Sequence, residues 1–104
     1  MYGRLVEIEG IDPSKGEEIA GIIRERVIPG MKEIEGFVGF ISLVDKQNRR
    51  GRSIVLWETK ESAEDAERQF ASRREEIVSS VGGRVLSAEL YEAPIVDVQT
   101  GVRA

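Results

Sequence analysis

Cysteine and histidine are both absent from these 104 residues. Their absence removes disulfides, thiolate nucleophiles, Ser-His-Asp and Cys-His pairs, and the ordinary zinc and haem-iron ligand sets. A Mg²⁺ or Ca²⁺ site built from carboxylates stays chemically open. No EF-hand loop or phosphate-cradling motif occurs, however, because Gly36-Phe37-Val38-Gly39 and Gly82-Gly83 have neither spacing. No run approaches the roughly 18 apolar residues of a membrane span, and Met1 to Glu7 lacks the basic-then-apolar layout of a signal peptide, so a cytoplasmic protein is expected. Positive charge is also short: 15 Lys and Arg stand against 19 Asp and Glu, a formal net charge of -4 that argues against a nucleic-acid partner. Any chemistry must come from carboxylates, Tyr, Trp, Arg, backbone amides or a bound organic molecule, with no metal or cofactor expected.

What is present is enough for one domain, 40% hydrophobic and 33% charged. Its most apolar stretch runs from Gly36 to Glu58 and reads as two strands about a polar turn. Val38, Phe40, Ser42 and Val44 fall on one side of the first strand and Gly39, Ile41 and Leu43 on the other. The second strand sets Val55 and Trp57 against Ile54 and Leu56. Both faces are apolar, so both must be covered. Arg49, Arg50 and Arg52 cluster at the turn, either as an anion contact or as a solvated tip.

Around this hairpin the chain alternates in kind. Arg4 to Glu9 reads as a strand. Pro13 then opens a helix, with Ser14 and Glu17 as a capping box and Ile19, Ile23, Val27 and Met31 as its apolar stripe. Pro29 predicts a kink or stop near Val27. Gly21 is out of place in that helix, since it costs about 1 kcal/mol relative to Ala. A second helix starts at Thr59 or Ser62, buries Ala63, Ala66, Phe70, Ile77 and Val81, and ends at Gly82-Gly83. Arg84 to Glu92 is the fourth strand, with Val85 and Tyr91 on one face and Leu86, Ala88 and Leu90 on the other. The order βαββαβ with right-handed crossovers predicts an α+β, ferredoxin-like four-stranded antiparallel sheet with both helices on one face. Residues 1–92 form the domain and residues 93–104 an arm expected to pack on a partner subunit. An uncovered apolar sheet face forgoes roughly 1.5–3 kcal/mol per large side chain, so a homodimer packed sheet to sheet is expected.

Pro29-Gly30, Gly36-Phe37-x-Gly39, Leu43-x-Asp45 and Val55-x-Trp57-Glu58-Thr59-x-Glu61-Ser62-Ala63 resemble the antibiotic biosynthesis monooxygenase type of dimeric α+β barrel, over nearly the whole span from Arg4 to Glu92. The resemblance implies a homodimer that takes a small aromatic or hydrophobic ligand. It also implies either a cofactor-independent oxygenase of aromatic or quinol substrates or a non-catalytic barrel that binds a ligand or serves in assembly. Haem degradation as in some relatives is disfavoured, because the chain has no His and its lone Asn, Asn48, sits in the turn.

On that resemblance five residues become candidates: Trp57 as a flat pocket wall and indole donor, Tyr91 or Arg84 to hold a ring oxygen, and Glu89 or Glu7 to take a proton if burial raises its pKa. Each has a plainer reading. Trp57 is core packing, Tyr91 a ring at a strand end, Arg84 an answer to a helix C-terminus, and Glu7 and Glu89 rim carboxylates. The two functions part on one feature, namely whether an acid, Tyr or Arg lines a cavity near Trp57. RNA binding through the sheet would need exposed aromatics and a basic face, which this chain lacks.

Overall fold

β-branched and aromatic runs form four strands, β1 (Tyr2–Glu9), β2 (Phe37–Asp45), β3 (Arg50–Trp57) and β4 (Arg84–Glu92), all pairing antiparallel in the order β2-β3-β1-β4. The structure is a computed structural model and describes residues 1–99. Helical segments lie on one side of the sheet, giving the expected ferredoxin-like α+β fold.

The first helical layer is built in pieces: a 3₁₀ turn (Pro13–Lys15), α1 (Gly16–Ile22), a π-helical turn (Ile23–Val27) and α2 (Ile28–Lys32). Its cap is Asp12, whose Oδ1 accepts the Ser14 N–H at 2.9 Å and the Ser14 hydroxyl at 2.8 Å. The expected Ser14–Glu17 box does not form, because Ser14 is already inside the 3₁₀ turn. Pro29 does not end the helix either. The Ile28 N–H bonds back to the Ile23 carbonyl, five residues away, and this wide turn brings Pro29 into the first turn of α2, where a missing donor costs little.

The second layer is one continuous helix, α3 (Lys60–Ser80). Thr59 caps it by accepting the Ser62 N–H at 3.1 Å. At the far end the Gly82 N–H bonds to Ser79 and the Gly83 N–H to Val78 at 3.0 Å, with Gly82 at φ +83. That pair of bonds is the glycine-ended stop read from the sequence. Ala63, Ala66, Phe70 and Val78 are buried from this helix. Ala63, Ala66 and Phe70 pack with Met31, Val55 and Trp57 into a core that Phe37, Phe40 and Leu90 flank.

Two strand irregularities shift residues between faces. Phe37 pairs with Trp57 but Gly39 pairs with Leu56, so β2 bulges at Val38 and Phe37 turns to the helix side. There its ring meets Trp57 edge to face at 5.7 Å and 78°. β4 bulges at Leu86, between the pairs Glu7 with Ser87 and Ile8 with Val85. This corrects the expected alternation: Val85 lies beneath α3 beside Ala88, not on the Tyr91 face.

The other face carries Leu5, Ile41, Leu43, Ile54 and Leu56, with Ile41 41% and Leu43 52% exposed. The arm leaves β4 with the Ala93 N–H bonded to the Met1 carbonyl at 2.8 Å and passes beside Leu5, Ile54 and Leu56. Its own Ile95 and Val98 remain 85% and 69% exposed. Residues 100–104 of that arm lie outside the described residues.

Candidate functional site

The first helical layer does not close down on the sheet. Ile19, Ile23, Val27 and Met31 roof a cavity of about 120 Å³ over β1, β2 and β3, with α3 as its side wall. An apolar cavity of roughly 150 Å³ holds a benzene molecule, so this space suits about one ring. Its size has a cause in the strands: Ser42 and Ser53 pair directly on the helix-facing side and fill little of the room that larger residues would occupy. Phe40, Val55 and Phe70 supply most of the remaining wall.

Two arginines of α3 reach the lining. Arg74 donates to Glu67 through both terminal nitrogens, at 2.6 Å and 3.0 Å, and Glu67 also faces Arg4 Nε at 3.2 Å. Arg4 Nη1 bonds the Ala88 carbonyl at 3.2 Å, while its Nε is close to Glu67 but not aligned to donate. Burial alone would raise the Glu67 pKa. The bond from Arg74 and the charges of Arg74 and Arg4 outweigh it, and the carboxyl is held below its usual value. Arg74 is thus neutralised. Arg73 is not: it makes no ion pair among the described residues, and its guanidinium lies 5.2 Å from the centre of the Phe70 ring. The lining therefore combines apolar walls, two serine hydroxyls and a cation with no carboxylate of its own.

The five candidate residues lie in three places. Trp57 is 1% exposed in the core and does not line the cavity, although its core neighbours Met31, Val55 and Phe70 do. Glu7, Glu89 and Tyr91 come together on the opposite sheet face, where strand alternation puts them. The Tyr91 hydroxyl donates to Glu89 at 2.6 Å, and Glu7 sits 3.5 Å from Arg52 Nε. The bond to Glu89, reinforced by that residue's charge, pushes the Tyr91 pKa up. Arg84 starts β4 and pairs across to β1, its Nε donating to Glu9 at 2.6 Å, so it answers a neighbouring carboxylate and not the helix end. Arg73 was missed, yet a signal existed. It lies three residues after Phe70 and four before Ile77, in phase with the apolar stripe of α3. Among the described residues no three Asp or Glu converge as metal ligands would.

No family model matches the chain, and no curated protein matches it in sequence. Solved structures do match in shape. A monooxygenase from Streptomyces coelicolor, the product of the gene ActVA-Orf6 in complex with nanaomycin D, aligns at TM-score 0.68 and 15% identity over 94% of this chain and 92% of that one. SnoaB, a cofactor-independent oxygenase from Streptomyces nogalater, aligns at 0.64 and 14% over 91% and 95%. A dimeric ferredoxin-like protein from an uncultured marine organism aligns at 0.67 and 7% over 95% and 100%. The likeness establishes the fold alone: this chain shares the ferredoxin-like α+β architecture of these proteins.

Proposed function

We propose that this chain is a homodimeric small-molecule-binding protein that holds an aromatic or quinol-type ligand in the helix–sheet cavity and oxygenates it without a cofactor. The observation that carries the reading is the apolar, ring-sized cavity with the unpaired Arg73 in its lining. A guanidinium beside a phenol favours the phenolate, and the electron-rich anion is the form that reacts with O₂. No carboxylate, Tyr or His is among the lining residues, so the proton leaves to solvent and activity follows the ligand's own ionisation. The dimer rests on the apolar face of Ile41, Leu43, Ile54 and Leu5, with Glu7, Glu89 and Tyr91 as its polar part. Sheet-to-sheet packing would cover it. Sedimentation at micromolar concentration checks that part by itself, and a monomer would overturn it.

The missing base favours a second reading, a barrel that binds its ligand without turning it over. Oxygen uptake with a panel of quinols and anthrones, measured beside binding detected through Trp57 fluorescence, separates the two. Uptake above background that falls in Arg73→Gln supports the oxygenase; binding with no uptake leaves the carrier.

A further inference from the structure

The cavity does not end at its own mouth. A groove of about 390 Å³ continues from it towards the β2–β3 turn, and Ile11, Ile19, Ile23, Ser42, Val44 and Gly51 line both spaces. Arg24, Lys46, Arg49 and Arg50 line this groove together with the carboxylates Asp12, Glu17 and Asp45, and the charges of Arg49 and Arg50 act on Asp12 and Asp45 respectively. These acids are not equally available. Asp12 is held by the Ser14 N–H and hydroxyl, and Asp45 accepts the Asn48 N–H at 3.2 Å and the Asn48 side-chain amide at 2.8 Å, each carboxylate closing its own turn. None of the four cations makes an ion pair among the described residues.

Arg49 is also held in place. Its φ is 52, in the left-handed region that side chains seldom adopt. Two bonds fix it there: its carbonyl accepts the Gly10 N–H at 2.8 Å and its N–H donates to Lys46 at 3.3 Å. The turn is thereby anchored against the segment that leads into the first helical layer. In a chain with a net charge of -4, this mouth is locally positive, four cations to three carboxylates.

From this arrangement we infer that the ligand is a hydrophobic carboxylate, with its apolar end in the cavity and its carboxylate at the Arg24–Arg49 mouth. The local excess of one positive charge matches a monoanion better than a dianionic phosphate. The inference rests on the cavity being the ligand site, and it adds the length and the charged end of the molecule that the cavity takes. A single ring fills the inner space, and the groove then carries a chain past Ser42 and Val44 to the turn.

Calorimetric titration of the full chain with 4-phenylbutanoate, its methyl ester and 4-phenylbutyl phosphate tests this. The acid should bind about tenfold more tightly than the ester at low salt, as expected for two or three exposed charge contacts, and the margin should shrink as salt is added. In the double variant Arg24→Gln, Arg49→Gln the acid should fall to the ester's affinity while the ester is unchanged, which also shows that the fold is intact. Equal binding of acid and ester by the native chain, or a preference for the phosphate, overturns the carboxylate inference and leaves the cavity reading standing. Failure of all three ligands to bind removes both. A cavity-filling Ile23→Trp chain should lose acid and ester alike, and ester binding that survives there places the apolar end elsewhere and overturns the inference.

Discussion

The two helical layers differ in how they meet the same sheet. α3 runs unbroken over 21 residues and buries Ala63, Ala66, Phe70 and Val78. The first layer spends a comparable length on three kinds of helical turn, and Met31, near its end, is the one residue from Pro13 to Lys32 that is buried. α3 therefore acts as scaffold and the first layer as a cover over the cavity. The sequence basis is plain: Gly16, Gly21, Pro29 and Gly30 weaken one helix, whereas α3 contains no Gly or Pro at all.

The contrast is tested most severely by matched truncations. Phe70→Ala should cost about 3 kcal/mol or more, since Phe70 is buried in the core cluster even though its ring also borders the cavity. Ile23→Ala, on the half-buried cover beside space that is already open, should cost about 1 kcal/mol or less. Urea denaturation measures both, and equal losses would break the distinction between scaffold and cover. Next in size is the joint between the layers. Gly36 sits at φ +93, its carbonyl accepts the Glu58 N–H at 2.8 Å, and a side chain on it would collide with Ser62 in the first turn of α3. Gly36→Ala should therefore cost about 2 kcal/mol or more, through backbone strain and displacement of that turn.

Gly21 gives a change of opposite sign. Nothing lies within 4 Å of where its β-carbon would stand, so the position is open and the glycine is a plain helix weakness. Gly21→Ala should raise stability by about 0.5–1 kcal/mol in thermal or urea unfolding. If the loose first layer serves ligand passage, the same substitution should slow ligand association in stopped-flow traces of Trp57 fluorescence. A stabilised chain with an unchanged association rate would separate looseness from function.

The ends of β4, a start of α3 at Thr59 or Ser62 and the Gly82-Gly83 stop were legible because each depends on a few adjacent residues, whereas β1 begins at Tyr2, two residues before the expected Arg4. The bulges at Val38 and Leu86 were not, because a bulge exists only relative to a partner strand's register. The wide turn before Pro29 was likewise out of reach: the residues announce that a hydrogen bond must be lost, but not that the helix absorbs it by changing its pitch. Reading the site by strand ends directed attention to Tyr91, Glu89 and Glu7, which alternation sends to the open face. Arg73 broke the apolar stripe of α3, and an interrupted stripe was the better guide to the cavity.

The smallest effect expected concerns the charge that ties α3 to the sheet. Glu67 bonds Arg74 and faces Arg4 of β1, and its pKa is depressed in the folded chain below the ordinary 4.5. A depressed carboxylate contributes stability that is fully present above its unfolded pKa and is lost as pH falls through the folded value. Glu67→Gln should thus cost a few tenths to about 1 kcal/mol at pH 7, discounted because the three side chains are partly solvated. The gap between native and variant should close as pH falls from the ordinary 4.5 through the lower folded value, where protonated Glu and Gln make nearly the same contacts. Asp12 and Asp45 are depressed as well, by their bonds to Ser14 and Asn48, but they titrate alike in both chains and cancel in the difference. A gap of the same size at pH 3 and pH 7 would mean that Glu67 holds α3 by shape and not by charge, and the scaffold's attachment would then be wholly apolar.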